Sequence, residues 1–557
     1  MKAAVLLATL AVCGCSLAVI DETDSPMTYD PPINSQTFTV RVDSDASVLN
    51  VDLIVPGVGT DAMDDIGDDR YEGELPLGAC SGVAEFEVEV TTNGIFEDPV
   101  ARFPEGGRFT HAIAGQPPEC ENFDDEVAQT FIVDRTEDFP DFIVGNGTCA
   151  GVIDGELGCS LRAAVMEANA KPGADLIRVP VGRYVLTRTE SGALSESGNE
   201  VNDAILDLDI TESVTIEGIS GDSRDVWDFL IESNDRDENL RDDPDSNAAF
   251  VKIDGGGIDR VFQVSGAATV LRLRTLAVIN GSADGPGGGI LNAGTTVLEQ
   301  VAIADNEVTR PVATGIGGGG IQNDGILIAE DIALTQNTVG GEVNNPQGGA
   351  LFNTGTATIR RALIAYNSAR FGNALHNAED AVLGLENATI HDHRWSGDPP
   401  VTVVRNEGEM ELAFVTVSQN SIEDRTLLSN DAGSEMRLRN VLIIDNTATH
   451  CSGTITTLGG NLADAACTLT GTPAAESSDH IDVLLSAFGA LDDRGGFTPV
   501  YPFIVPSAGS SSFNPVDRAV IPAFPFVDQR GDGFPRRIDG DDAGPATPDP
   551  GAYEFEG

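Results

Sequence analysis

The chain has 557 residues and a formal net charge of −57, carried by 89 acidic residues against 32 Lys and Arg. A chain of this length is longer than one that usually folds around a single hydrophobic core, so two or more folded units are expected. Apolar residues make up 41% of the chain, as in globular proteins, so the charge decorates folded domains. Such an acidic surface repels the phosphate backbone, which argues against nucleic acid as a partner.

The first 15 residues have the pattern of an export signal. Lys2 is followed by an apolar run over residues 3–12, and then by small residues and cysteine. The run is too short to cross a bilayer as a permanent helix. We therefore expect an exported protein.

The end of this signal, Val12-Cys13-Gly14-Cys15, resembles a bacterial lipobox, in which the cysteine after a small residue is diacylated. Cys15 fits the pattern better than Cys13, because Gly14 precedes it. The resemblance implies a membrane partner reached through a lipid on Cys15, and Ser16 at the next position resembles outer-membrane sorting. An ordinary cleaved signal is the alternative.

Two segments are predicted between the signal and residue 140. Residues 16–35 are polar with paired prolines, which suits a tether between lipid and fold. Residues 36–140 contain short alternating runs, such as 38–42, 84–90 and 130–133. A period of two indicates half-buried antiparallel strands, so a small β-sandwich is predicted over 36–140.

Six cysteines follow the signal, an even number that is typical of disulfides in an exported protein. No pair has the spacing of a zinc site. The sequence does not fix the connectivity, and we expect neighbours to pair: Cys80 with Cys120, Cys149 with Cys159, and Cys451 with Cys467.

Residues 145–190 are predicted to hold a helix and the first coil of the next unit. Ser160 is a candidate N-cap and Pro172-Gly173 ends the helix. One helical face is apolar, formed by Leu161, Ala164, Val165 and Ala168.

Three runs of this segment are distinctive: Cys159-Ser160-Leu161-Arg162-Ala163-Ala164, Glu167-Ala168-Asn169 and Pro172-Gly173-Ala174-Asp175. Through these runs the segment resembles the CSLREA-type module that precedes β-helices in bacterial surface proteins. Ala163 stands where the module usually has Glu. The resemblance implies a helix that covers the open end of a β-helix.

Residues 191–475 repeat, and the repeat predicts the fold. Asn-x-Gly begins at Asn292, Asn323, Asn353 and Asn406, and a second asparagine follows 14 residues after each. These second positions are Asn306, Asn337, Asn367 and Asn420; Asn446 ends a further copy, and His393 takes the place in another. The residues three, five and eight positions earlier are apolar in all six copies.

A repeat of roughly 24–31 residues with short apolar strands is one coil of a parallel β-helix. Asparagines at the same position in successive coils are expected to stack and to hydrogen-bond to one another, as the rungs of a ladder. The crossover connections between parallel strands are expected to be right-handed. The predicted fold class is therefore all-β: a right-handed parallel β-helix with a helix-containing N-terminal cap, preceded by a small antiparallel β-sandwich.

Four runs near the end of the chain form a recognisable set: residues 491–499, Asn514-Pro515-Val516-Asp517, Asp528-Gln529-Arg530-Gly531 and Asp549-Pro550-Gly551-Ala552-Tyr553-Glu554. Through these runs, residues 476–557 resemble the choice-of-anchor Q terminal domain. With the CSLREA-type module it implies the fold and display at the cell surface, but no reaction.

Two clusters are candidate ligand sites. His391-Asp392-His393-Arg394-Trp395 sets imidazole, carboxylate and guanidinium beside an indole, a combination that suits a metal or an acidic sugar. The alternative, which we favour, is a polar corner in which His393 replaces a ladder asparagine. Near the end of the chain, Asp539, Asp541 and Asp542 offer hard oxygen ligands for Ca²⁺, or form a solvated acidic turn.

The preferred interpretation is a lipid-anchored protein of the outer membrane or cell surface that contacts polysaccharide or a surface protein, with no catalysis and no required cofactor. The alternative is an extracellular polysaccharide lyase or glycoside hydrolase of the pectate-lyase-like β-helix type. Its catalytic residues are unknown, because the coils contain no Asn-Thr-Asp, Gly-His-Gly or Arg-x-Lys. A fold alone does not give a function.

Overall fold

The structure is a computed structural model. It describes residues 17–21, 27–28, 35–44, 48–55, 59–67, 70–76, 83–92, 100–103, 109–114, 128–153, 156–189, 206–219, 250–309, 317–340, 347–393, 402–421, 426–447, 449–485, 490–492, 494, 496–502, 514, 519, 527–531, 534 and 548–555.

The described part of the N-terminal unit contains ten strands in two sheets. The strands are β1 (Leu17–Asp21), β2 (Met27–Thr28), β3 (Ser35–Ser44), β4 (Val48–Val55), β5 (Gly59–Ala62), β6 (Asp64–Gly67), β7 (Arg70–Pro76), β8 (Val83–Thr92), β9 (Val100–Phe103) and β10 (Phe109–Ala114). One sheet has the order β1-β3-β7-β6, and the other β2-β10-β8-β4-β5 with β9 on β8. All pairs except β2 with β10 are antiparallel, as the alternation predicted.

Two details of this region differ from the prediction. The expected tether contains a strand, because Leu17–Asp21 pairs with β3. The run 130–133 was assigned to the sandwich, but β11 (Thr130–Ile132) pairs in parallel with β14 (Asp175–Pro180) of the solenoid. Alternation shows that a strand is half buried; it does not show which partner the strand pairs with.

The N-terminal cap joins a hairpin, β12 (Gly151–Ile153) with β13 (Glu156–Gly158), to helix α1 (Leu161–Asn169). Ser160 is the N-cap, and its side chain accepts from the Ala163 amide. This prediction is confirmed. The apolar face predicted for α1 is buried in the solenoid core, so the helix covers the end of the stacked coils.

Polar residues of α1 attach the helix to its surroundings. Arg162 is buried and pairs with Asp138, its Nε lying 2.6 Å from Oδ1. Glu167 accepts from the amides of Gly145 and Gly147 at 2.7 and 2.8 Å. The module residues that are most prominent in the sequence therefore serve structure.

Among the residues that the structure describes, the solenoid is built from parallel strands in a 17-stranded, a nine-stranded and a three-stranded sheet. The 17-stranded sheet contains β11, β14, β15 (Gly182–Val185), β17 (Val214–Ile219), β18 (Val251–Asp254), β20 (Val270–Ile279), β23 (Thr295–Ala304), β26 (Ile326–Thr335), β29 (Thr356–Ala365), β31 (Val382–His391), β33 (Glu409–Ser418), β35 (Glu435–Arg439), β36 (Leu442–Ile444), β38 (Ile455–Gly459), β39 (Leu462–Ala463), β40 (Leu469–Gly471) and β41 (His480–Ile481). Helix α2 (Pro473–Ser478) precedes β41.

The other two sheets are made of shorter strands. The nine-stranded sheet contains β16 (Leu208–Ile210), β19 (Phe262–Val264), β22 (Ile290–Asn292), β25 (Ile321–Asn323), β28 (Leu351–Asn353), β30 (Leu375–Asn377), β32 (Thr402–Asn406), β34 (Thr426–Asn430) and β37 (Thr449–Ser452). The three-stranded sheet contains β21 (Ser282–Ala283), β24 (Glu307–Val308) and β27 (Thr338–Val339). The arrangement confirms the predicted right-handed parallel β-helix.

Each ten-residue strand bends in the middle, so that one strand forms two walls of a coil. The sixth residue of β20, β23, β26, β29, β31 and β33 has positive φ, between 49° and 55°. Apolar residues on either side of the bend point inward, and identical positions stack in register from coil to coil. The apolar positions predicted from the repeat are all buried in this core.

Two asparagine ladders run along the solenoid at different corners. The first contains Asn292, Asn323, Asn353, Asn377, Asn406 and Asn430, whose side chains are joined by amide-to-carbonyl bonds of 2.7–2.9 Å. The second contains Asn306, Asn337, Asn367, His393, Asn420 and Asn446. All members but Asn430 and Asn446 are fully buried. The predicted rung-to-rung bonding is confirmed.

The glycines that lie two residues after asparagines of the first ladder are required for steric reasons. At Gly325 and Gly355 a Cβ atom would lie 2.0 and 2.1 Å from the carbonyl oxygen of the glycine one coil earlier. Backbone packs against backbone at this corner, and only glycine permits such an approach.

The C-terminal clamp, which we define as residues 496–502, 527–531 and 548–555, lies on the outer face of the second half of the ten-residue strands. Gln529 accepts from Thr389 at 2.6 Å, and the Ala552 amide donates to Thr416 at 2.9 Å. Phe497 packs on Ala277, Ala302, Ala304 and Ala333. Small outward residues therefore make room for this clamp.

The clamp is held together by a buried charge cluster. Arg530 pairs with Asp528, donates to the Glu554 carbonyl at 3.1 Å and stacks on Phe534 and Tyr553. Glu554 in turn accepts from the Asp549 amide at 2.8 Å. The motifs at residues 528–531 and 549–554 thus contact each other and cover part of the outer face of the coils.

Candidate functional site

The cluster predicted at residues 391–395 does not form one site among the residues that the structure describes. Arg394 and Trp395 lie outside the described residues. His393 is fully buried in the second asparagine ladder, and its Nδ1 lies 2.9 Å from the Asn420 Oδ1. Its Nε2 lies 3.4 Å from the Asn367 Nδ2. His393 therefore occupies the position of an asparagine in the ladder, between Asn367 and Asn420.

Burial fixes the charge of this imidazole. Desolvation lowers the pKa of His393 to about 4, so the ring is neutral near pH 7. Because the Asn420 oxygen accepts a hydrogen bond, Nδ1 carries the proton and Nε2 has the lone pair. A neutral ring in this tautomer performs the two roles of an asparagine amide.

His391 and Asp392 are buried for other reasons. The His391 ring points outward from β31 and lies under the C-terminal clamp, 5.2 Å from the Tyr501 ring, with Nδ1 3.0 Å from the Ser418 hydroxyl. Asp392 has positive φ and forms the turn between the two histidines. In the described part of the chain, no group of three or more His, Cys, Asp or Glu is arranged to hold a metal ion.

A different polar cluster lies on the outer face of the nine-stranded sheet. We define the His376 cluster as His376, Arg405, Glu407 and Asp431. His376 and Arg405 are neighbours in register on β30 and β32. Glu407 and Asp431 directly follow the ladder residues Asn406 and Asn430. Three successive coils therefore bring these four side chains to one strip.

Contacts within the cluster are short and directed. Nε2 of His376 lies 3.1 Å from Oε2 of Glu407. Nη2 of Arg405 lies 2.6 Å from Oε1 of Glu407 and 2.7 Å from Oδ2 of Asp431. One guanidinium nitrogen thus bridges carboxylates from two adjacent coils.

Two phenylalanines frame the cluster. Phe352, in register with His376 on β28, meets its ring edge-on with centroids 5.1 Å apart. The Arg405 guanidinium stacks over Phe371 at 4.7 Å from the ring centroid. His376 and Phe352 are buried, whereas the Glu407 and Asp431 side chains keep 28% and 38% of their surface exposed. The cluster has an aromatic floor and a carboxylate rim that is open to solvent.

The electrostatics of the cluster keep Glu407 ionised. The hydrogen bond from His376 lowers the pKa of Glu407, and burial lowers the pKa of His376. His376 is therefore neutral near pH 7 and donates its Nε2 proton to the Glu407 carboxylate. Its Nδ1 has no hydrogen-bond partner although it is buried, which is an unusual state for a polar atom in a folded protein.

The Asn-x-Gly motif did not reveal this cluster, because it marks only four of the six asparagines of the first ladder. Asn377 and Asn430 belong to the first ladder but lack the glycine two residues later, so Asn-x-Gly did not find them. An alignment of the coils on all six asparagines shows polar and aromatic residues beside the ladder. The position directly before the asparagine holds Phe352, His376 and Arg405 in successive coils. The position directly after it holds Glu407 and Asp431.

The remaining predicted positions divide into two groups. The disulfides Cys149–Cys159 and Cys451–Cys467 are formed. Cys15, the pair Cys80 and Cys120, and the acidic residues Asp539, Asp541 and Asp542 lie outside the described residues. No helix in the described part of the chain has the length and apolar character needed to cross a membrane.

The fold defines the chain as a right-handed parallel β-helix protein. Comparison with family models, with curated proteins and with solved structures finds no match for this chain. The fold is compatible with surface proteins and with pectate-lyase-like proteins, so function has to be inferred from the site.

Proposed function

We propose that the protein is exported, anchored by a lipid on Cys15 and displayed on the outer membrane or cell surface, where it contacts a polysaccharide or a surface protein without catalysis. The lipobox-like end of the signal and the resemblance of both terminal modules to surface-protein modules support this proposal. The proposed contact requires no cofactor. Asp539, Asp541 and Asp542 are proposed as candidate ligands of Ca²⁺.

The observation that carries the contact role is the His376 cluster. In this cluster, charged and aromatic side chains from three coils converge and the carboxylates stay partly open to solvent. A polar rim beside buried aromatic rings is a common composition of binding sites. The clamp covers another face of the solenoid, so the proposed contact is placed on the His376 face.

The protonation state favours binding over hydrolysis. A glycosidase needs one carboxylic acid whose pKa is raised so that it donates a proton to the leaving group. The hydrogen bond from His376 lowers the pKa of Glu407 instead. An ionised Glu407 accepts hydrogen bonds from hydroxyl groups but does not act as an acid.

One observation favours the second candidate, a polysaccharide lyase or glycoside hydrolase. Glu407 and Asp431 contact the same Arg405 nitrogen at 2.6 and 2.7 Å. The distance between the two carboxylate oxygens therefore cannot exceed the sum of these two distances. Retaining glycosidases hold their two carboxyl groups about 5–5.5 Å apart. Release of reducing or unsaturated ends from polysaccharides, lost in Glu407→Gln, would establish this second function.

Two experiments test the preferred function. Metabolic labelling with a fatty-acid analogue should label the wild-type chain and not Cys15→Ala; equal labelling of both would refute the anchor. A glycan array probed with the full chain should show binding that Glu407→Gln removes and no release of sugar ends. Turnover of a bound glycan would contradict the non-catalytic role and support the enzymatic one.

A further inference from the structure

The N-terminal cap carries a group of exposed apolar side chains. We define the cap patch as Phe142, Ile143, Val144, Val152 and Leu157, whose exposed fractions lie between 49% and 72%. These are five of the nine large apolar side chains that are exposed in the described part of the chain. A single exposed apolar residue is ordinary on a protein surface, but a group of them in one short segment marks an interaction surface.

Hydrogen bonds fix the backbone that presents the cap patch. The Asp141 carboxylate is buried and accepts from the amides of Ile143 and Ala150, both at 2.7 Å. The Phe142 amide donates to the Ala150 carbonyl at 2.9 Å, which sets this loop beside the β12–β13 hairpin. The two patch residues of the hairpin lie directly opposite each other. The patch is therefore a preformed surface.

The segment that carries most of the patch is also uncharged. Residues 142–153 contain no Asp, Glu, Lys or Arg, although these four types make up 22% of the chain. The acidic side chains that support the loop, Asp141 and Glu167, are buried and accept hydrogen bonds from backbone amides. An apolar surface without charge suits the interface of a phospholipid bilayer.

The charge and the size of the surface argue against a second copy of the chain as the occupant. Each copy has a formal charge of −57, so two copies repel each other. Stable interfaces between proteins also involve about 20–30 residues on each side, many more than the cap patch contains. A bilayer of neutral phospholipid meets neither obstacle.

The proposed lipid on Cys15 brings the cap close to such a bilayer. Strand β1 begins at Leu17, two residues after Cys15, so the lipid would hold the N-terminal unit at the membrane. The described chain resumes at Ala128, 14 residues after Ala114 at the end of β10. This gap spans at most about 50 Å, since an extended chain covers about 3.5 Å per residue. The anchor makes the second contact intramolecular, so a patch that is too small to hold the chain on a membrane by itself is sufficient.

We propose that the cap patch lies in the interface of the bilayer into which the Cys15 lipid inserts, as a second and apolar membrane contact. This proposal rests on the proposed lipid anchor. It sets the N-terminal end of the solenoid at the membrane and its C-terminal end away from it. The nine-stranded sheet separates the two ends by about 40 Å, since neighbouring strands are about 4.8 Å apart.

The test introduces a tryptophan into the full, lipidated chain, which is reconstituted into phosphatidylcholine vesicles with brominated acyl chains. Phe142→Trp and Val152→Trp each add one indole to the patch, and the use of two positions guards against local disturbance at one of them. The fluorescence that each variant adds to that of the wild type should shift to the blue and be quenched by the brominated lipid.

Leu484→Trp is the matched control. Leu484 is 59% exposed and follows β41 at the other end of the solenoid, so its replacement should give fluorescence that brominated lipid does not quench. Equal quenching of all three variants, or none in either patch variant, would overturn the proposed contact while leaving the anchor in place. Unquenched patch indoles in a chain of doubled mass would assign the patch to a second copy instead. A wild-type chain that does not float with the vesicles would overturn the anchor and, with it, the contact.

Discussion

Two fully buried histidines, His376 and His393, lie on the same coil and are used in opposite ways. His393 replaces one asparagine of a ladder and uses both ring nitrogens within the protein. His376 points outward beside the other ladder and leaves Nδ1 unpaired. Burial lowers the pKa of both rings. Burial alone therefore does not distinguish a binding residue from a structural one; whether the polar atoms of the side chain have hydrogen-bond partners within the fold does separate these two histidines.

Removal of the His393 ring gives the largest expected effect. His393→Ala should lower the free energy of unfolding by about 2–4 kcal/mol, because it opens a cavity in the core and leaves Asn420 without its ladder partner. His393→Asn restores the ladder group and should cost less than about 1 kcal/mol. Denaturant unfolding of both variants checks this. Equal destabilisation by Ala and Asn would show that the imidazole does more than continue the ladder.

The protonation of His393 predicts a pH dependence of stability. Its pKa is about 4 in the folded chain and 6.5 when unfolded, so between these values the unfolded chain binds more protons. Stability is unaffected above pH 6.5 and falls as the pH drops towards 4, by up to roughly 3 kcal/mol from this group. Melting curves of wild type and His393→Asn should therefore diverge below pH 6.5. Parallel curves would contradict the lowered pKa.

Asn377 tests the ladder at a rung that its sequence motif does not mark. Asn377→Ala removes a side chain that donates to Asn406 and receives a bond from Asn353. Each buried partner left unpaired should cost on the order of 1–3 kcal/mol. Glu379→Ala, two residues along and exposed, is the control and should have little effect. An unchanged melting temperature for Asn377→Ala would argue against a continuous ladder.

The sequence predicted the solenoid well because its repeat is local and stereochemically strict. The apolar spacing, the second ladder with its histidine, the Ser160 cap and two disulfides all follow from residues that act within a coil or between adjacent coils. The first ladder was incomplete, because Asn377 bonds like its neighbours without the glycine that the motif requires.

Features that depend on distant partners were not predictable in this way. The alternation of 130–133 could not reveal that β11 pairs with β14. His391 and His393 would share a face of an extended strand, but the positive φ of Asp392 turns the backbone between them. The fold therefore makes a ladder rung of His393 and a contact of His391 with Tyr501, where the sequence suggested one site. The His376 cluster combines residues from three coils, 376 to 431, and only the register brings them together.

The most direct test of this difference between the two histidines is a paired measurement on His376→Leu and His393→Asn, with unfolding free energy and glycan binding recorded for each. His376→Leu loses one hydrogen bond to a partly exposed carboxylate and also removes an unpaired nitrogen, so stability should change by less than about 1 kcal/mol. Glycan binding should fall at least tenfold in His376→Leu and stay unchanged in His393→Asn. A His376→Leu variant that binds glycan normally but unfolds several kcal/mol more easily would contradict the account, since His376 would then be a structural residue like His393.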